Sequence, residues 1–179
     1  RSPSRGLGDV YKRQSLNIPV FNVPYHQKLL GEEANAYMGL ADIHQYPPSE
    51  FALHNSDLVL MIGARLDNQM NFGNPPFIPK TTTLVCINGS HEEIEFNRAA
   101  DHNLLCDPGV FLDTLCNLKK NNKWNLGNSW FQDNKKRKKD WVDKSLNELK
   151  IEADKAKKNG GKIHPCLLYT SDAADDTPC

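Results

Sequence analysis

The sequence predicts an α/β domain built on a doubly wound parallel sheet, and three observations carry that prediction. Short apolar runs recur along the chain without polar alternation, as in strands covered on both faces. Stretches with helical patterning separate them. Helix-start signals stand where a strand gives way to a helix.

Taken in order, residues 18–23 (IPVFNV) form the first strand candidate, short and rich in β-branched residues. Residues 49–55 follow as a helix. Residues 58–62 (LVLMI) are continuously apolar and closed by Gly63. Residues 82–87 (TTLVCI) repeat the pattern, and 103–106 (NLLC) repeat it more weakly. Between these lie helices predicted over 91–97 and 108–118. Ser90-His-Glu-Glu93 has the capping-box form, in which Ser90 accepts from the Glu93 amide and Glu93 reaches back. Asp107-Pro108 supplies an N-cap and a proline at the first helical position.

Composition shifts after Leu118. Residues 119–130 are rich in Asn and Lys and read as a connection. From 129 to 158 the pattern is helical, with Val142, Leu146, Leu149, Ala153 and Ala156 forming one apolar stripe and Trp130 and Trp141 packing at its start. The run 135–139 (KKRKK) reads as a solvated helix face. Gly160-Gly161 ends the helix, and Ile163-His-Pro165 begins the next element.

Whole-chain properties narrow the function. The 179 residues suit one domain with a core. Lysines and arginines number 22, as do acidic residues, so net charge gives no argument for nucleic acid or an anionic membrane as partner. No apolar run approaches the length of a bilayer span, and a cytoplasmic location is expected. The five cysteines include no CxxC pair, and the six histidines show no ligand spacing. No catalytic or metal-binding residue is therefore assigned.

The two ends stand apart. SRGLGDVYKRQ near the start and CLLYTSDAADD near the finish lack apolar periodicity. They resemble the two arms of a transposase-type sequencing adapter translated in frame. Residues 1–14 and 166–179 are accordingly read as non-native, and the native reading frame is expected to continue beyond both edges of 15–165.

The most informative segment is DLVLMIGARLDNQMNFGNPP, residues 57–76. In an open parallel sheet, ligands bind beyond the carboxyl ends of the strands. Gly63 lets a ligand approach the backbone, Arg65 offers a planar fork for phosphate or carboxylate, and Asp67 offers an acceptor. The competing reading is a local Arg65–Asp67 ion pair with Gly63 turning the chain. The next strand ends at Asn88, which can bond a ribose hydroxyl without bringing charge.

These residues carry a resemblance. ALHNSDLVLMIGARLDNQMNFGNPPF, then LVCINGSHEEIEFNRAADHNLLCDPGVFLDTL, then the long helix and Ile163-His-Pro165, resemble the central domain of thiamine-diphosphate-dependent enzymes. Acetolactate synthase, oxalyl-CoA decarboxylase, 2-hydroxyacyl-CoA lyase and benzaldehyde lyase belong to that group. Gly63-Ala-Arg-Leu66 with Phe72-Gly73 and Pro75-Pro76 is most similar to the acyl-CoA lyase and decarboxylase branch.

The resemblance implies a Rossmann-like (DHS-like) fold, truncated at its N-terminal side and followed by a long C-terminal helix. It implies a partial central domain over 15–128, and a helix and linker over 129–165 leading to a third domain. Thiamine diphosphate and Mg2+ would be held by the enzyme's other two domains, with FAD, ADP or no nucleotide in this one. Gly63, Ala64, Arg65, Leu66 and Asp67 would line that nucleotide site, with Asn88 at the ribose, although the family usually has Asp there. The partners implied are the N- and C-terminal domains of the same enzyme, in a homodimer or homotetramer. The family's sheet also has an interior strand that precedes residue 18. Without it, residues 15–165 are expected to fold poorly alone, and a cooperative melt with low dye binding would contradict that. The alternative reading is a free-standing Rossmann-like nucleotide-binding module.

Overall fold

A computed structural model describes residues 17–23, 34–94, 97–121 and 128–158. Both stretches read as adapter lie outside the described residues, as do positions 95–96 of the helix expected over 91–97, much of the connection after Leu118, and Gly160 to Pro165.

The chain forms a mixed α/β fold with parallel sheets, consistent with a Rossmann-like domain. Strand β1 (Val20–Asn22) pairs in parallel with β2 (Tyr37–Leu40). Helix α1 (Pro47–Asn55) follows, then β3 (Leu58–Ile62). A 3-10 segment (Asn68–Gly73) leads toward β4 (Thr83–Asn88), and helix α2 (His91–Ile94) toward β5 (His102–Leu105). Helices α3 (Pro108–Asn121) and α4 (Ser129–Lys158) complete the order. Strands β3, β4 and β5 form a second sheet, parallel throughout, with β4 in the middle. Among the described residues no strand joins the two sheets.

The first sheet holds a strand that sequence patterning did not reveal. Tyr-Met-Gly-Leu is short, and its glycine reads as a break. Gly39 is needed because the Tyr46 ring lies against the backbone. Its φ is +113°, and a Cβ there would fall 2.3 Å from Tyr46 Cζ. The Tyr46 hydroxyl then donates to the Met38 carbonyl at 2.6 Å.

The main core gathers Ile43, Leu53, Met61, Leu66, Met70, Ile78, Leu84 and Ile94, with Phe21 and Val23 packed against it. Leu84 and Ile87 on the central strand are fully buried, each worth roughly 2 kcal/mol of transfer free energy. Burial on both faces does not extend to the flanking strands. All four residues of β5 are exposed, Leu105 by 58%, and Leu58 at the start of β3 is 49% exposed. Helix α3 packs on β4 and buries only Leu112 and Cys116, so the apolar side chains of β5 remain in contact with solvent.

The Asp107-Pro108 start forms as its chemistry predicts. Asp107 Oδ1 accepts from the amides of Gly109 at 2.8 Å and Val110 at 3.1 Å. Helix α4 spans the predicted range and Trp130 packs near its start as expected, with Phe131 as a further anchor. Phe131 is buried with Ala36 and Met38, and the Trp130 ring lies 5.8 Å from that of Phe51. The chain from Lys136 onward forms a separate compact unit. Within it Val142, Leu149, Ala153 and Ala156 are half-buried, and Leu146 is exposed. The predicted stripe is thus present as a periodicity but not as a buried seam. Lys135, Lys136, Arg137 and Lys139 are exposed, as expected of a solvated face.

Candidate functional site

The parallel register sets the site. Ile62 pairs with Ile87, so Gly63 follows the end of β3 beside Asn88, the last residue of β4, which pairs on its other side with Leu105. The Gly63 amide donates to the Ile87 carbonyl at 2.8 Å, extending the ladder by one residue. Gly63 then turns with φ +61°, and a Cβ there would meet Pro108 Cγ at 3.2 Å. Both the backbone angle and the proline at the start of α3 favour glycine.

The other candidate residues separate into two groups. Ala64 is half-buried and Arg65 exposed at the strand end. Leu66 instead turns inward and is 6% exposed in the core, with its carbonyl accepting from Asn97 Nδ2. Asp67 caps the 3-10 segment, its Oδ1 accepting from the Gln69 amide at 3.0 Å and its carbonyl from the Phe72 amide at 2.8 Å. Asn88 Oδ1 accepts from the Ser90 amide at 3.2 Å. Gly63, Ala64, Arg65 and Asn88 therefore share the strand-end surface, while Leu66 and Asp67 shape the turn behind it.

Arg65 has a partner that the sequence reading assigned elsewhere. Its Nε donates to Glu93 Oε2 at 2.6 Å, and its Nη2 donates to Glu93 Oε1. The expected capping box therefore does not form in full. Glu93 keeps a backbone bond from its amide to the Ser90 carbonyl at 3.3 Å, but its carboxylate goes to the guanidinium. The hydrogen bond from Arg65 holds the Glu93 carboxyl below the usual glutamate range. The same bond, then the Glu93 charge, raises Arg65 further, with a smaller contribution from the charge of Asp67. Asp67 thus acts on Arg65 through its field, and the bidentate partner is Glu93.

Behind the pair lies a cavity of about 10 Å³, lined in part by Met61, Ala64, Leu66, Cys86, Ile94 and Arg98. It has room for no more than a water molecule. A nucleotide does not fit inside it. Cys86 lines the floor, and burial, then the Glu93 charge, pushes its thiol up, so it is not poised as a nucleophile.

Arg98 also escaped the sequence reading. Its guanidinium donates to the carbonyls of Gly73 at 3.1 Å, Ile78 at 2.9 Å, Pro79 at 3.3 Å and Thr82 at 3.4 Å. It ties the loop before β4 to the segment after α2. A lone arginine in FNRAADHN has no sequence signal that would mark this role.

A parallel sheet, a Gly-Ala-Arg turn at the end of β3 and a polar end to β4 together invite comparison with known families. The model for the thiamine pyrophosphate enzyme central domain matches residues 13–115, more than half of the chain. The chain belongs to that family. The matched stretch holds the five strands found among the described residues and ends inside α3. No curated protein matches the chain.

Membership implies thiamine diphosphate in the parent enzyme. Among the described residues no cluster of three or more His, Cys, Asp or Glu side chains is placed to bind a metal ion. No helix among the described residues is long and apolar enough to cross a membrane.

Proposed function

We propose that this central domain serves an enzyme that makes or breaks a carbon–carbon bond beside a carbonyl, and that it does so as a nucleotide-binding module. Thiamine diphosphate, held by other domains of the parent with Mg2+, supplies the chemistry when bound. The domain's contribution is recognition of FAD or ADP at the carboxyl ends of β3 and β4. The observation that carries this reading is the placement of Gly63-Ala-Arg65 beside Asn88 at the carboxyl ends of adjacent parallel strands. It brings a close-approach backbone, a guanidinium fork and an uncharged amide onto one surface.

Two branches of the family compete for the parent, and Gly63-Ala-Arg-Leu66 followed by Phe72-Gly73 favours the acyl-CoA lyase or decarboxylase branch over acetolactate synthase. The deciding experiment is the absorption spectrum of the parent enzyme together with its response to ADP. A colourless protein stimulated by ADP supports the CoA branch. A yellow protein carrying FAD supports the synthase, and a protein that takes up neither overturns the nucleotide reading. In the parent, the partners are the flanking domains of the same polypeptide within a homodimer or homotetramer, in the cytoplasm. Size-exclusion chromatography with light scattering on the parent tests the assembly.

A further inference from the structure

We infer that Glu93 is an internal competitor for Arg65: its carboxylate occupies the guanidinium, and a nucleoside diphosphate binds by displacing it. This rests on the nucleotide reading above and adds its regulation. The geometry is that of substrate mimicry. Both Glu93 oxygens accept from Arg65, through Nε and Nη2, in the two-point arrangement a phosphate takes at the same fork.

Charge points the same way. Arg65 contributes one positive charge, while Glu93 and Asp67 contribute one negative charge each. The trio therefore presents net negative charge to an incoming diphosphate. Neutralising Glu93 brings the trio to zero net charge.

Exposure makes exchange feasible. The side chains of Arg65 and Glu93 are 48% and 29% exposed, so water screens their attraction and a more highly charged anion can replace the carboxylate. The backbone need not move for this. Ile94 beside Glu93 is 6% exposed in the core and holds α2 in place, so the Glu93 carboxylate can leave the guanidinium by rotation of its own side chain. The cavity behind the pair is too small to admit the ligand by another route.

The test is calorimetric titration with ADP of the parent enzyme that carries this chain. Glu93→Gln is expected to bind ADP roughly two- to fivefold more tightly than the unaltered enzyme, the range set by an exposed ion pair. Arg65→Met is expected to abolish binding with or without Glu93→Gln. Near-UV circular dichroism checks that each variant is folded. Glu93→Asp, shorter by one methylene, keeps the charge but strains the two-point contact, and its gain should be smaller than that of Glu93→Gln. It also decides the matter if Glu93→Gln fails to fold, since binding no tighter than that of the unaltered enzyme would then overturn the inference. Equal or weaker binding by folded Glu93→Gln overturns the competitor role and leaves the nucleotide reading standing. No ADP binding by the unaltered enzyme or by either Glu93 variant overturns the nucleotide reading, and this inference with it.

Discussion

Arg65 and Arg98 flank the same stretch of chain and use the same functional group in opposite ways. Arg98 spends its donors on backbone carbonyls, four of them within 3.4 Å. Arg65 directs two of its donors to a carboxylate at the surface. The carbonyls have no charge to titrate and cannot leave without unravelling the loop. A carboxylate on a rotatable side chain can leave and be replaced. The chemistry of the partner, rather than that of the arginine, separates a structural clamp from an exchangeable contact.

Substitution should expose this contrast most sharply at Arg98. Arg98→Met leaves several part-buried carbonyls unpaired and is expected to cost roughly 2–4 kcal/mol, read as a lower urea midpoint. Arg98→Lys should recover less than half, because a point charge cannot span four acceptors. An unchanged midpoint for Arg98→Met would remove the clamp from the account.

Gly73→Ala tests the loop between the two arginines. Gly73 has φ +76°, and a Cβ would come 2.8 Å from Leu66 Cδ1 and 3.1 Å from Arg98 Cβ. The expected cost is about 1–2 kcal/mol. Equal stability of the variant would show that the loop can shift without disturbing Arg98.

Arg65→Met should alter stability far less than either, with a midpoint at neutral pH close to that of the unaltered chain. What difference remains should depend on pH. The folded Glu93 carboxyl is held below its unfolded value, so the pair contributes above the usual glutamate range. That contribution is lost as pH falls through the lowered folded value. The midpoints of Arg65→Met and the unaltered chain should therefore converge in acid, while the gap to Arg98→Met should not close by this route. Denaturation curves across that range check both statements.

Local features were legible in the sequence, and partner choice was not. Strand β3 and helix α4 match their expected ranges because continuous apolarity and a three-four spacing are properties of consecutive residues. The Asp107 cap was readable for the same reason. Strand β2 was missed because Gly39, which admits the Tyr46 ring, also interrupts the pattern that would have announced a strand. At the site, the position of Arg65 followed from the end of β3. Its partner lies 28 residues away, past a second strand, and the register of β3 on β4 decides that contact. Glu93 looked like a capping residue because its local spacing to Ser90 was the only relation visible without the fold.

The parallel run of β3, β4 and β5 also divides labour between the ends of the sheet. At the amino ends, Thr82 Oγ1 donates to the Ser56 carbonyl, the Thr83 amide to the Asp57 carbonyl and the Leu84 amide to Asp101 Oδ2. At the carboxyl ends sit Gly63, Arg65, Asn88 and Glu93. For protein engineering this makes the carboxyl-end loops a transferable cassette. Residues 63–67 and 88–93 can be grafted from a relative with the strand starts left untouched, provided that both loops travel together, because Arg65 and Glu93 recognise each other across them.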